Sequence, residues 1–182
     1  MSQIDVSSVP LWARPGQSLD DVPADTGGRS QVLVGVGDAA GPVVNRWIAE
    51  IPGRTPVSRI LGDDVALACT ELDEALRDAR VGVRVLIAGP AGACLRLRGV
   101  ALSVGLEDDE IRVMRCGAGP IDVFCAHCGA STPAVADVDD IVECAGCARH
   151  LLVYYHVSRR TGRFLGFMVD AETAPTVEEA DR

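Results

Sequence analysis

The chain has 182 residues, of which 48% are hydrophobic and 24% charged, a composition typical of a folded globular protein and not of a disordered one. A net charge of −9 disfavours a general nucleic-acid binder, which needs cations to displace counterions from phosphates. No apolar run reaches the roughly 18–20 residues that span a bilayer, and residues 1–11 lack a signal-peptide pattern, so we expect a cytoplasmic protein without a membrane partner.

The first segment, residues 1–30, carries Pro and Gly at irregular intervals that interrupt every periodicity. We expect a flexible arm or an extended docking segment there. Trp12 is the exception, and we expect it to pack back onto the protein's own domain.

Residues 31–116 alternate strand and helix signals. A helix is expected with Pro42 in its first turn, a second is expected to be capped by Asp63 or Asp64, and a third is expected to end at Gly105. Strands separated by helices of this length predict βαβ units and a small parallel-sheet α/β domain. The predicted strands are 31–36, 57–61, 83–88 and 111–114.

A Gly-rich hinge at residues 116–120 leads into a second module, residues 121–170, with short strand signals at 121–124, 141–143, 151–157 and 163–169. The last segment, residues 171–182, is acidic and is expected to be a frayed tail. The predicted architecture is therefore an α/β domain followed by a zinc-ribbon module.

The ribbon prediction rests on Cys125, Cys128, Cys144 and Cys147, two CxxC pairs separated by 15 residues. Each pair can wrap its backbone around one metal ion, so that together they offer a tetrahedral four-sulfur site, most simply for a structural zinc. Iron in a rubredoxin-like site and a redox dithiol pair are the alternatives.

Other possible ligands are less well suited to this role. His127 is expected to be a surface residue, and His150 would be superfluous once four cysteines complete the shell. Cys69 and Cys94 fall on predicted inward helix faces, and Cys116 has no assigned role.

Residues 151–168 are rich in aromatic residues and Arg and contain no acidic residue. One interpretation is a hairpin whose aromatics cover the ribbon and whose arginines face solvent. The other is a docking surface, because Tyr and Arg are enriched at interface hot spots.

This stretch and the cysteine spacing resemble the small subunit of bacterial dimethylamine monooxygenases, the DmmA-like family. Beyond the two CxxC pairs, the resemblance is carried by residues 155–160, 164–166 and 170–172. It implies an accessory subunit that supports electron transfer in a multisubunit, haem-dependent monooxygenase, which N-demethylates dimethylamine using O2 and a reduced nicotinamide cofactor.

Because the chain carries no evident ligand set for haem, flavin or an iron–sulfur cluster, the resemblance implies that these cofactors lie on partners: a haem-bearing oxygenase subunit and a flavin and iron–sulfur reductase subunit. The isolated chain is expected to be inactive and to have no catalytic residues. The partner-binding residues it implies are Tyr155, His156, Ser158, Arg159 and Arg160. A stand-alone zinc-ribbon module that binds protein or nucleic acid is the alternative function.

The α/β part resembles, more loosely, the nucleotide-binding half of ferredoxin–NADP reductases. This resemblance is carried by Gly35, Gly37, Pro42, Gly89 and Pro90. It implies that NADPH binds at the two turns that contain these residues. Two departures stand against it: Ala88 occupies the place of the family's cysteine, and Asp38 puts a negative charge where a phosphate would lie.

Overall fold

The computed structural model describes residues 7–16 and 21–169, which form two sheets. The first is a four-stranded parallel sheet in the order β2-β1-β3-β4, so the predicted α/β fold is confirmed. Its strands are β1 (Ser30–Val36), β2 (Val57–Gly62), β3 (Val83–Gly89) and β4 (Ile111–Arg115), and its helices are α1 (Ala40–Glu50), α2 (Val65–Arg77) and α3 (Ala91–Ser103).

Helices cover both faces of this sheet. The buried side chains of α1, with the fully buried Trp47, pack on the face that carries Leu33, while α2 and α3 pack on the face that carries Val32 and Val34. Asp64 caps α2 by accepting hydrogen bonds from two backbone N–H groups at 2.8 and 3.1 Å. None of the helices in the described ranges combines the length and apolarity needed to cross a membrane.

The second sheet has five strands in the order β6-β5-β9-β8-β7. Its strands are β5 (Ile121–Cys125), β6 (Ser131–Ala134), β7 (Ile141–Glu143), β8 (His150–Val157) and β9 (Phe164–Met168). β5 and β9 run parallel, and the other neighbours are antiparallel. The sequence did not predict β6, because Pro133 lies in it; the strand tolerates a proline since it is an edge of the sheet.

Residues 7–16, which the sequence places in an arm, lie against this second sheet. Val9 and Ala13 are buried in its core, and Trp12 packs against the cores of both sheets. The Ser8 hydroxyl accepts a hydrogen bond from the backbone N–H of Val157 at 2.8 Å. Trp12 therefore packs on its own protein, as predicted.

Helix α3 of the parallel sheet also packs against the second sheet. Leu95 of this helix is buried in the core of the second sheet, and the linker at 116–120 lies so close that a Cβ on Gly92 would meet the Pro120 carbonyl oxygen at 2.1 Å. The C-terminal segment 170–182, including the predicted acidic tail and the 170–172 motif, lies outside the described residues.

Candidate metal centre

Two backbone turns of identical hydrogen bonding present the four cysteines. In the first, the N–H of Gly129 donates to the carbonyl of Cys125 at 2.9 Å; in the second, the N–H of Ala148 donates to the carbonyl of Cys144 at 2.8 Å. The residue after the second cysteine of each pair has a positive φ, 75° at Gly129 and 57° at Ala148. The two CxxC segments thus form two equivalent knuckles, each with both sulfurs on its inner side.

The two knuckles bring all four sulfurs together. Every Sγ atom lies within 4.8 Å of the other three, with 3.8 Å between Cys125 and Cys147 and 3.6 Å between Cys128 and Cys144. Disulfide sulfurs are about 2.05 Å apart, so these are not disulfides. A tetrahedral ion at about 2.3 Å from each sulfur places the sulfurs about 3.8 Å apart. The spacing therefore suits one four-coordinate metal ion.

The four thiols influence one another's acidity. A hydrogen bond from the Gly146 backbone N–H lowers the pKa of Cys144 to about 6. Although a backbone hydrogen bond at Ala130 favours its thiolate, the pKa of Cys128 is raised to about 12, because desolvation and the other three thiols oppose its charge. Four thiolates in one cluster repel one another, and a divalent metal removes that repulsion.

Neighbouring residues leave little space around the sulfurs. A Cβ on Gly146 would lie 2.7 Å from the Cβ of Ala130 and 3.1 Å from the Sγ of Cys128, so this position requires glycine. The buried Thr132 hydroxyl on β6 accepts a hydrogen bond from the Ala145 N–H at 3.0 Å. The strand that the sequence did not predict therefore positions the second knuckle.

The other cysteines and the histidines lie outside the cluster. His127 and His150 are exposed, and neither belongs to any metal-ligand group among the described residues. Cys94 is buried and its Sγ donates to the Gly89 carbonyl at 3.3 Å; burial raises its pKa and that of the half-buried Cys69. Cys116 packs beside the core under α1.

The residues expected to bind a partner are distributed over β8 and the following turn. Tyr155 packs on the core of the second sheet, its ring 4.2 Å from that of Tyr154, and burial raises its pKa. His156 is exposed and its Nδ1 lies 3.1 Å from the Ser8 hydroxyl. Ser158 begins the turn, and its carbonyl accepts from the Gly162 N–H at 2.9 Å.

The two arginines differ in their contacts. Arg159 donates to the Asp108 carboxylate at 2.5 Å, and Asp108 also accepts a hydrogen bond from Arg98 of α3. Arg160 has an exposed side chain, but its backbone carbonyl rests on α3 at Gly99. Arg159 is thus engaged within the chain. The sequence could not indicate Asp108 as its partner, because the two residues are far apart along the chain.

The residues expected to hold a dinucleotide lie at the carboxyl ends of the neighbouring strands β1 and β3. Gly35 is tightly packed, since a Cβ there would meet Leu61 at 2.6 Å, and a Cβ on Gly89 would meet the Val36 carbonyl at 2.9 Å. Gly37 has a φ of 80° and open space around it. Pro42 is in the first turn of α1 and Pro90 precedes α3.

The linker to the second sheet runs over this edge. The Cys116 N–H donates to the Gly89 carbonyl at 2.8 Å. A Cβ on Gly117 would lie 3.3 Å from Ala39, and a Cβ on Gly119 would lie 2.9 Å from Pro90. Residues 116–120 therefore contact the beginnings of both α1 and α3, where a bound pyrophosphate would have to lie.

Comparison with known families supports the resemblance found in the sequence. Residues 122–167 match the model of the C-terminal domain of the dimethylamine monooxygenase subunit DmmA-like family, a segment that contains all four clustered cysteines. The C-terminal module is thus a DmmA-like C-terminal domain, as the sequence predicted.

One relative and one solved structure extend this comparison. The heme-dependent oxidative N-demethylase delta subunit of Ectopseudomonas mendocina (strain ymp) is 36% identical over 101 residues, which cover 56% of this chain and 57% of the relative. The aligned part is thus little more than half of either protein. Phthalate dioxygenase reductase, a modular electron-transfer protein, superposes with a TM-score of 0.38 at 16% identity over 64% of this chain and 47% of its own.

Proposed function

We propose that this chain is a non-catalytic subunit of a haem-dependent oxidative N-demethylase that acts on dimethylamine. The observation that carries the proposal is the 36% identity to a heme-dependent oxidative N-demethylase delta subunit, together with the match of the metal module to the dimethylamine monooxygenase subunit DmmA-like family. Haem, flavin and an iron–sulfur cluster belong to other subunits in this proposal, and O2 and a reduced nicotinamide cofactor are the co-substrates.

Co-expression tests this proposal directly. The chain is produced with and without the haem-bearing and reductase subunits of an N-demethylase, and formaldehyde release from dimethylamine is measured on the purified material. We expect a stable complex that contains this chain, and no formaldehyde from the chain alone. Failure to co-purify with either subunit would overturn the assignment.

The four-cysteine cluster is proposed to hold one structural zinc ion. Four thiolates fill a tetrahedral shell and leave no open position for substrate, so the ion would stabilise the fold rather than react. A module of this size has too small a core to fold without such a crosslink. Metal analysis of the purified protein distinguishes zinc from iron, which would give a red protein with a charge-transfer band.

The α/β unit is proposed to act as a docking scaffold and not to hold a dinucleotide. The support is the linker that lies over the beginnings of α1 and α3, and the packing that accounts for Gly35 and Gly89 without a ligand. Titration of the chain with NADPH, followed by calorimetry, is expected to show no saturable binding. Saturable binding that is lost in Gly37→Asp would restore a nucleotide site at this edge.

A further inference from the structure

A distortion of the second sheet opens a cavity beside β9. Val153 pairs with Gly166 and Val157 pairs with Phe164, so three residues of β8 lie opposite the single residue Leu165. This bulge moves β8 away from β9 at that point. The resulting cavity has a volume of about 250 Å3 and is lined by Phe124, His156, Ser158, Thr161, Arg163, Phe164 and Leu165.

The walls of the cavity differ in polarity. Phe124, Phe164 and Leu165 are its apolar lining residues, and Phe124 and Leu165 are directly paired on neighbouring strands. The other lining residues, His156, Ser158, Thr161 and Arg163, are polar, and none of the described lining residues is acidic. Arg163 forms no ion pair with any residue in the described ranges. The cavity is therefore complementary to a carboxylate next to an apolar group.

An apolar surface continues from the cavity across the sheet. Phe167, Leu152 and Ile141 are paired in register on β9, β8 and β7, so their side chains share one face. Phe167 is 47% exposed and Ile141 is 56% exposed. A small anion would leave this row uncovered, whereas a polypeptide covers both the cavity and the row.

We propose that this cavity and the apolar row bind an extended segment of another subunit, with a carboxylate of that segment paired to Arg163 and a neighbouring apolar side chain against Phe124 and Leu165. This rests on the proposed function, since it names the face of the chain used in the demethylase complex. The Ser8 hydroxyl, which contacts His156 and the backbone of Val157, helps to hold the lining residue His156 in place.

The cavity is tested first on the full chain alone. N-acetyl-leucine is titrated into isotope-labelled protein, and the amide signals of residues 158–165 are followed by NMR, with N-acetyl-leucinamide as the uncharged probe. We expect saturable shifts confined to these residues, with binding of the amide weaker by about tenfold or more. Equal binding of both probes, or shifts elsewhere in the chain, would overturn the carboxylate site.

Two variants then distinguish specific binding at Arg163 from a general effect of positive surface charge. Arg163→Gln is expected to lose the response to N-acetyl-leucine, while Arg59→Gln, at an exposed arginine of β2, keeps it. Unchanged metal content and circular dichroism of both variants show that the fold is intact. A wild-type response in Arg163→Gln would contradict the proposal.

Complex assembly tests the partner. Arg163→Gln and Phe167→Ser are expected to weaken association with the demethylase subunits at least about tenfold, and Arg59→Gln to leave it unchanged. If the wild-type chain binds the probe but no demethylase subunit, the proposed function fails and the carboxylate site stands. If Phe167→Ser instead abolishes self-association of the chain, the occupant is a second copy and the partner assignment is wrong.

Discussion

The backbone carbonyl of Arg160 lies on Gly99 of α3, so close that a Cβ at that glycine would meet the oxygen at 2.8 Å. One turn of helix away, Gly162 lies against the backbone of Leu95 with a φ of 68°, and a Cβ there would come within 2.5 Å. The turn between β8 and β9 thus docks on the α/β unit through two glycines. The arginine-rich motif that the sequence suggested for an external partner thus makes contacts within the chain.

Adding a methyl group at either glycine should weaken the contact between the β8–β9 turn and α3 and so lower the stability of the protein. Gly162→Ala meets both backbone atoms and an unfavourable φ, and we expect a loss of about 3 kcal/mol in the free energy of unfolding. Gly99→Ala should lose about 1–3 kcal/mol, partly offset by its better helix propensity. Gly41→Ala in α1, with open space around it, is the control and should be neutral or stabilising. Urea unfolding measures all three.

The ion pair between Arg159 and Asp108 should contribute little by itself. The two side chains are 61% and 49% exposed, and solvent screens a pair of this kind. A double-mutant cycle with Arg159→Ala and Asp108→Asn is expected to give a coupling energy of about 0.5–1 kcal/mol that falls at high salt. Arg160→Ala, whose side chain has no such partner among the described residues, should leave stability unchanged. A coupling above about 3 kcal/mol would indicate that the pair is desolvated.

The two knuckles offer a matched test of backbone strain. Gly129 and Ala148 occupy equivalent positions with positive φ, and the space around Gly129 is open. Gly129→Ala should therefore cost about 1 kcal/mol through backbone conformation alone. Ala148→Gly should be neutral or stabilise the module by up to about 1 kcal/mol. Thermal unfolding of the metal-loaded protein measures both, and equal effects of the same sign would contradict the equivalence of the knuckles.

Metal removal should unfold the second sheet first. We expect about one zinc per chain, and loss of the β5–β9 amide protection in Cys125→Ser or after chelation, measured by hydrogen exchange. The parallel sheet should remain folded but less stable, because Leu95 and one side of α3 lose the core they share with the ribbon. Unchanged protection of β5 in the metal-free protein would show that the ion is not needed for folding.

The local features of the fold followed from sequence patterns. Apolar runs and helical periodicity predicted the parallel sheet and its helices. A cap at Asp63 or Asp64, of which the structure shows Asp64, and the Cys cluster followed from residue type and spacing. The helices, strands and cap depend on residues close together in the chain. The cysteine cluster depends on the preference of a metal ion for four thiolate ligands.

Contacts between distant residues had no such pattern. The pairing of β5 with β9, the docking of the 158–162 turn on α3 and the contacts of Ser8 each join segments more than thirty residues apart. One signal was present: Gly99 lies in the interior of a helix, where glycine is unfavourable unless another backbone approaches closely. The missing prediction of β6 has a different, local cause, since this strand is only four residues long and includes a proline.

The position of β9 bears on the order of events during synthesis. Among the strands that the structure describes, β9 is synthesised last, yet it lies in the middle of its sheet, between the β5–β6 hairpin and the β7–β8 hairpin. Until it is made, no strand pairing within residues 121–169 connects the two hairpins, but both knuckles are already complete at Cys147. We therefore expect metal capture to hold the hairpins at the correct distance for β9 to insert, so that zinc supply would set the yield of folded chain rather than only its final stability.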